Sequence, residues 1–144
     1  MNQHSDLAAP AVLLPDYLRL IFWGLGICLL AGVMTVCLIP LKLPPAAPQF
    51  NDKFLHLTTF AMLMLWFGGL VSRERHWQLA LALMGYGLLI EVLQSFTAYR
   101  SAEWLDSLAD GLGILAGWLL LRLGAYRWPL LVAGIFSRRP GTPE

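Results

Sequence analysis

The chain has 144 residues, a formal charge of +1, 58% hydrophobic residues and only 13% charged ones. A soluble domain carries about 25% charged residues, so this chain lacks the polar side chains to cover a water-facing surface, and the same apolar excess excludes disorder. Near-neutral charge gives no electrostatic footprint for nucleic acid. What remains is an integral membrane protein with several spans.

Residues 1–16 precede the first apolar run and are expected to form a cytoplasmic N-terminal segment. Tyr17–Ile39 follows. A spanning helix needs about 20 apolar residues to cross about 30 Å of hydrocarbon, and this run qualifies. It is longer than the core of a signal peptide, and Pro40 follows it rather than a small-residue cleavage site, so an uncleaved anchor is expected. Cys28 and Cys37 both lie in this run, about 13.5 Å apart in rise and on opposite faces. They cannot pair with each other. Pro40, Pro44, Pro45 and Pro48 make the next linker extended.

Three further runs follow, Phe54–Val71, Trp77–Phe96 and Leu105–Leu123. None shows the alternation of a barrel strand, and helix is the backbone that satisfies its own hydrogen bonds in lipid. The expected fold is therefore all-α: a polytopic membrane domain over residues 17–123, a bundle of four transmembrane helices with short loops. Residues 124–144 form an interfacial segment and a basic tail. In that stretch Trp128–Phe136 is too short to span, and its entry is punctuated by Gly124 and Pro129. The alternative reading is a bent extension of the fourth helix. Trp77, Trp104, Tyr126 and Trp128 read as interface-belt aromatics.

Four spans place both termini and the Arg73-Glu74-Arg75 turn on one side. That side holds Arg19, Arg73, Arg75, Arg122, Arg127, Arg138 and Arg139, against Lys42, Lys53 and Arg100 on the other. The asymmetry puts both termini in the cytoplasm.

The informative residues are the ionisable ones near or within the spans. Glu91 lies in the third run, where a charge is expensive without a partner or a proton. Gln94 and Ser95 share its face, and Gly87 lies upstream on that face. In the fourth run Asp106, Asp110, Gly113 and Gly117 fall within about a 60° sector, and Gly113-x-x-x-Gly117 lets another helix approach closely. Helices three and four are joined by a short loop and are expected to be antiparallel neighbours whose polar stripes meet. The second run opens with Asp52 and Lys53, and His56 lies on the Asp52 face. With this topology Asp52, Lys53, His56, Glu91, Gln94, Arg100, Asp106 and Asp110 all gather in the outer leaflet. Each also has a plainer reading: helix-start charges at Asp52, Lys53 and Asp106, a hydrogen-bonded interior histidine, interhelical glue at Glu91 and Gln94, and a neutralising Arg100.

Asp52-Lys53-x-x-His56, then Glu91-x-x-Gln94, then Arg100, Asp106, Asp110, Gly113 and Gly117 resemble the VanZ-like family of small bacterial membrane proteins. The resemblance covers roughly residues 17–123. The chain departs from the family where Phe60 stands for a frequent Tyr, Glu103 for Asp and Asp110 for Asn. The family is named for an accessory protein of glycopeptide resistance clusters linked to teicoplanin resistance. The resemblance implies a multi-pass protein of the bacterial cytoplasmic (inner) membrane connected with the cell envelope. It implies no reaction.

Three functions compete. The first is an outward-facing site between helices two, three and four that binds or acts on a lipid or envelope head group. His56, Glu91 and Asp106 would do any catalysis; Asp52, Lys53, Gln94, Arg100 and Asp110 would bind. The same site can instead hold a divalent cation on His56, Glu91, Asp106 and Asp110. No Ser or Cys sits in an activating arrangement for a serine-hydrolase type of mechanism, and whether the chain is an enzyme stays open. The second is a structural or partner-binding protein whose polar cluster locks the bundle. The third is proton- or ion-coupled transport, for which four helices leave little room unless the protein oligomerises. The expected partners are membrane lipids and envelope-biosynthesis membrane proteins.

Overall fold

The computed structural model describes residues 14–39, 50–97 and 103–137. The Pro-rich linker from Pro40, Arg100 and the tail beyond Ser137 lie outside the described residues. Among the described residues five α-helices follow one another: α1 Asp16–Leu38, α2 Phe50–Gly68, α3 His76–Ser95, α4 Trp104–Arg122 and α5 Trp128–Ser137. No strand occurs among the described residues. By length and composition, α1, the stretch Arg73–Ser95 and α4 can each cross a membrane. The outward faces are apolar as a lipid-facing surface requires: Leu81, Leu88 and Val92 on α3, and Leu108, Leu112, Leu115 and Leu119 on α4 are all exposed.

The helix ends follow the sequence closely. α2 starts earlier than its apolar run because Asn51, Asp52 and Lys53 form its first turn, where a negative side chain is favoured by the unsatisfied N–H groups. It ends at Gly68, and a short 3-10 turn at Arg73–Arg75 leads into α3. His76, at the start of α3, is buried and sits 2.9 Å from the Gly68 carbonyl through Nε2. That contact closes the α2–α3 corner and buries His76, while Arg73, Glu74 and Arg75 of the turn stay exposed.

The core is formed by Phe60, Leu63, Met64 and Phe67 of α2, Leu83 and Ile90 of α3, and Ile114 and Leu121 of α4. The closest helix pair is α2 with α4. A Cβ added at Gly113 would overlap the Leu57 carbonyl oxygen, and one at Gly117 would come within 2.7 Å of the Ala61 carbonyl oxygen. The small-residue stripe of α4 is thus filled by the α2 backbone. The sequence left the helix that approaches this stripe unnamed; it is α2, while α3 and α4 also pack against each other as antiparallel neighbours.

α1 is packed differently. Of its residues only Phe22 and Gly26 are buried. Three side chains from its neighbours donate to its carbonyls: Trp66 Nε1 to Phe22 at 3.2 Å, Tyr86 Oη to Leu30 at 2.6 Å, and Gln94 Nε2 to Cys37 at 3.0 Å. Neither Cys28 nor Cys37 is in a disulfide among the described residues.

α5 is a separate helix. Gly124 breaks α4 with φ 116°, a left-handed conformation that side-chain-bearing residues avoid. A 3-10 turn at Ala125–Arg127 then redirects the chain. Trp128 is the anchor of α5: its Nε1 donates to the Leu65 carbonyl at 3.0 Å, and its ring lies 4.8 Å from Trp66 and 5.3 Å from Phe22. The belt assignment therefore suits the exposed Trp77 and Trp104 better than Trp128. Gly124→Ala is expected to lower stability by about 1 kcal/mol, read by thermal unfolding in detergent; an unchanged unfolding temperature would show that the α4–α5 corner is not held in this conformation.

Candidate functional site

The antiparallel arrangement separates the charges to the two ends of the bundle. At one end Arg73 reaches the Arg122 carbonyl and stacks over the Tyr126 ring, with Arg127 on the same ring. At the other end the start of α2, the end of α3 and the start of α4 bring together Asp52, Lys53, His56, Glu91, Gln94, Asp106 and Asp110. Of these, His56, Glu91, Gln94, Asp106 and Asp110 are buried.

His56 and Asp110 form the innermost pair. His56 Nδ1 lies 2.9 Å from Asp110 Oδ1. An ionised carboxylate only accepts, so the ring donates through Nδ1. His56 Nε2 then faces Asp106, 4.0 Å from its Oδ2. Asp106 and Asp110 are one helical turn apart, so they grip opposite edges of one imidazole. The Asp110 carboxylate lies where a side chain would project from Gly87: a Cβ there would meet Asp110 Oδ2 at 2.5 Å. Gly87 on α3 therefore makes room for Asp110 on α4.

Lys53 closes the outer edge. Its Nζ donates to Glu103 Oε2 at 2.8 Å and to Asp106 Oδ1 at 3.0 Å. The pair with Glu103 is half exposed and contributes little to stability; the contact with buried Asp106 fixes that carboxylate between Lys53 and His56. Glu91 links α3 to α4, its Oε2 accepting the Glu103 backbone N–H at 3.0 Å, just ahead of the unsatisfied N–H groups of α4. Gln94 turns the other way, its amide nitrogen going to Cys37 of α1.

Two buried oxygens, Glu91 Oε1 and Asp110 Oδ2, have no hydrogen-bond partner among the described residues. Buried polar atoms are almost always satisfied in folded proteins, and these two lie among the titratable groups at this end. Among the described residues, Asp52, Glu91, Glu103, Asp106 and Asp110 face one lysine and one histidine.

The structure thus brings His56, Asp106, Asp110, Lys53 and Asp52 into one cluster with Glu91 beside them, while Gln94 serves α1 and Arg100 lies outside the described residues. Glu103 was missed as a site residue. Its spacing, one turn ahead of Asp106, was the available signal.

The family model for VanZ/LLP1 matches residues 30–125, and the chain belongs to that family. No curated protein and no solved structure matches it. The matched region spans the second half of α1 through α4 and contains every residue of the cluster.

Proposed function

We propose that this VanZ-type membrane protein spans the bacterial inner membrane four times, with α1 to α4 as spans and both termini in the cytoplasm. In this reading the polar end of α2, α3 and α4 faces outward and binds a lipid or envelope head group. The observation that carries it is the pair of buried, partnerless oxygens of Glu91 and Asp110 in an otherwise paired cluster. A cluster that only locked helices together would gain from satisfying every atom, because an unpaired buried polar group costs about 1–3 kcal/mol. Open acceptors suit a ligand that brings donors or positive charge, and Lys53 with Glu103 forms a half-exposed mouth.

The second reading, a purely structural lock, is favoured by Gln94, whose amide ties α3 to α1. The two separate on lipid capture. Protein extracted in mild detergent is expected to retain phospholipid or an envelope-lipid precursor, identified by native mass spectrometry, and Glu91→Gln and Asp106→Asn are expected to lose it while keeping helical content. Equal lipid retention by both variants and the parent would favour the lock. Topology is read by labelling a cysteine placed at Glu74 in a Cys28→Ser, Cys37→Ser background. Protection from an impermeant reagent added outside is expected, and labelling would invert the orientation.

A further inference from the structure

We propose that Asp52, His56 and Asp106 form a divalent-cation site, with Asp110 holding the imidazole in the ligating orientation. One carboxylate oxygen each from Asp52 and Asp106 and a ring nitrogen of His56 all lie within 4.8 Å of one another. Metal bonds of about 2.0–2.2 Å place neighbouring ligand atoms roughly 3 Å apart, so side-chain rotation over about an ångström closes the set.

The proton arrangement on His56 favours coordination. Nδ1 is engaged by Asp110 Oδ1 at 2.9 Å, which leaves the Nε2 lone pair directed to the side where Asp106 lies. A carboxylate behind a histidine is the usual support of a metal-bound imidazole, fixing its tautomer and raising its basicity. Asp106 divides its oxygens in a compatible way: Oδ1 accepts from Lys53, and Oδ2 is the oxygen nearest His56 Nε2.

Acidic residues often cluster without an ion, and the argument for one comes from a separate observation. Among the described residues Glu91, 7% exposed, buries Oε1 without a hydrogen-bond partner at this end of the bundle, and Asp110, 1% exposed, buries Oδ2 likewise, on the side that faces Gly87. Glu91, Asp106 and Asp110 are buried carboxylates at this end of the bundle, where a charge without a counter-charge is expensive, and a divalent ion between Asp52, His56 and Asp106 brings positive charge beside them. One imidazole with two carboxylates suits Mn²⁺ or Zn²⁺ better than a thiolate-seeking ion.

The inference shares with the head-group reading the premise that this cluster binds a ligand and the two partnerless oxygens that support it. Metal uptake in detergent without added phospholipid separates the two, since either can hold while the other fails. Chelator-stripped protein is titrated with Mn²⁺ and the free ion followed by its electron paramagnetic resonance signal, with Zn²⁺ as competitor. Saturable binding of one ion per chain is expected. Asp52→Asn, at the half-buried rim, and His56→Gln are expected to abolish it. Asp110→Asn is expected to weaken it about tenfold, as loss of a supporting carboxylate does. Glu74→Gln, at the opposite end, is expected to bind as the parent does. Circular dichroism and gel filtration report whether each variant folds. Absence of saturable binding in the parent, or undiminished binding in a folded Asp52→Asn protein, overturns the proposal.

Discussion

Gly113→Ala is expected to destabilise the protein by about 3 kcal/mol, the upper part of the range for overpacking. The added methyl would overlap the Leu57 carbonyl oxygen on α2, with Leu57 C and Ala61 N also within 3.1 Å of it. Backbone atoms cannot rotate away as a side-chain end can, so relief requires α2 and α4 to separate. That separation would propagate one turn along α4 to Asp110 and pull it from His56. The contrast is Gly111→Ala, where the new atom meets only Met84 Sδ at 3.8 Å. That variant is expected to be neutral, or more stable by up to about 1 kcal/mol through helix propensity. Unfolding by sodium dodecyl sulfate in mixed micelles, followed by tryptophan emission, compares the two. Equal stability of the two variants would show that α4 does not approach α2 through this stripe.

His56→Ala is expected to destabilise by about 3–5 kcal/mol, because removing the imidazole strands the buried carboxylates it faces. Asp110 is 1% exposed and Asp106 4%, and without the imidazole two carboxylates one helical turn apart face each other across a void. Asp110→Ala is expected to be milder, since a neutral His56 leaves no buried charge stranded and still faces Asp106. The informative quantity is the double-mutant cycle: His56→Ala with Asp110→Ala is expected to lose less than the sum of the single losses, by more than about 1 kcal/mol. Asp110→Asn, the residue that the family often carries there, keeps an acceptor for His56 Nδ1 and is expected to lie within about 1 kcal/mol of the parent. Additive losses in the cycle would mean that His56 and Asp110 do not act on each other.

The helices were legible because long apolar runs interrupted by charge and proline admit one backbone solution in lipid. The boundaries of α1, α3 and α4 agree within a residue with Tyr17–Ile39, Trp77–Phe96 and Leu105–Leu123. The polar cluster was legible in outline for the same reason: charge is so scarce that Asp52, His56, Glu91, Asp106 and Asp110 stand out individually. What the linear chain did not carry was which helix faces which. Gly113 and Gly117 announce a close neighbour without naming α2. Gln94 shares a helix face with Glu91, yet three residues of rise are enough to send its amide to Cys37 of α1. Glu103 read as a family variation rather than as the partner of Lys53, because its role depends on the α2–α4 crossing angle. His76 stands one residue ahead of the Trp77–Phe96 run, and the fold of the corner at Gly68 buries it.

The three hydrogen bonds that hold α1 also bear on how the molecule is assembled. Their acceptors, Phe22, Leu30 and Cys37, recur every seven or eight residues and so lie along one edge of the helix. Their donors sit on α2 and α3, which the ribosome delivers later. α1 precedes them in the chain but cannot dock until Trp66, Tyr86 and Gln94 have all been made. Its seat is also the shallowest among α1 to α4, with only two buried residues. A helix made before its partners is therefore seated after them, and its docking waits on the completion of α3.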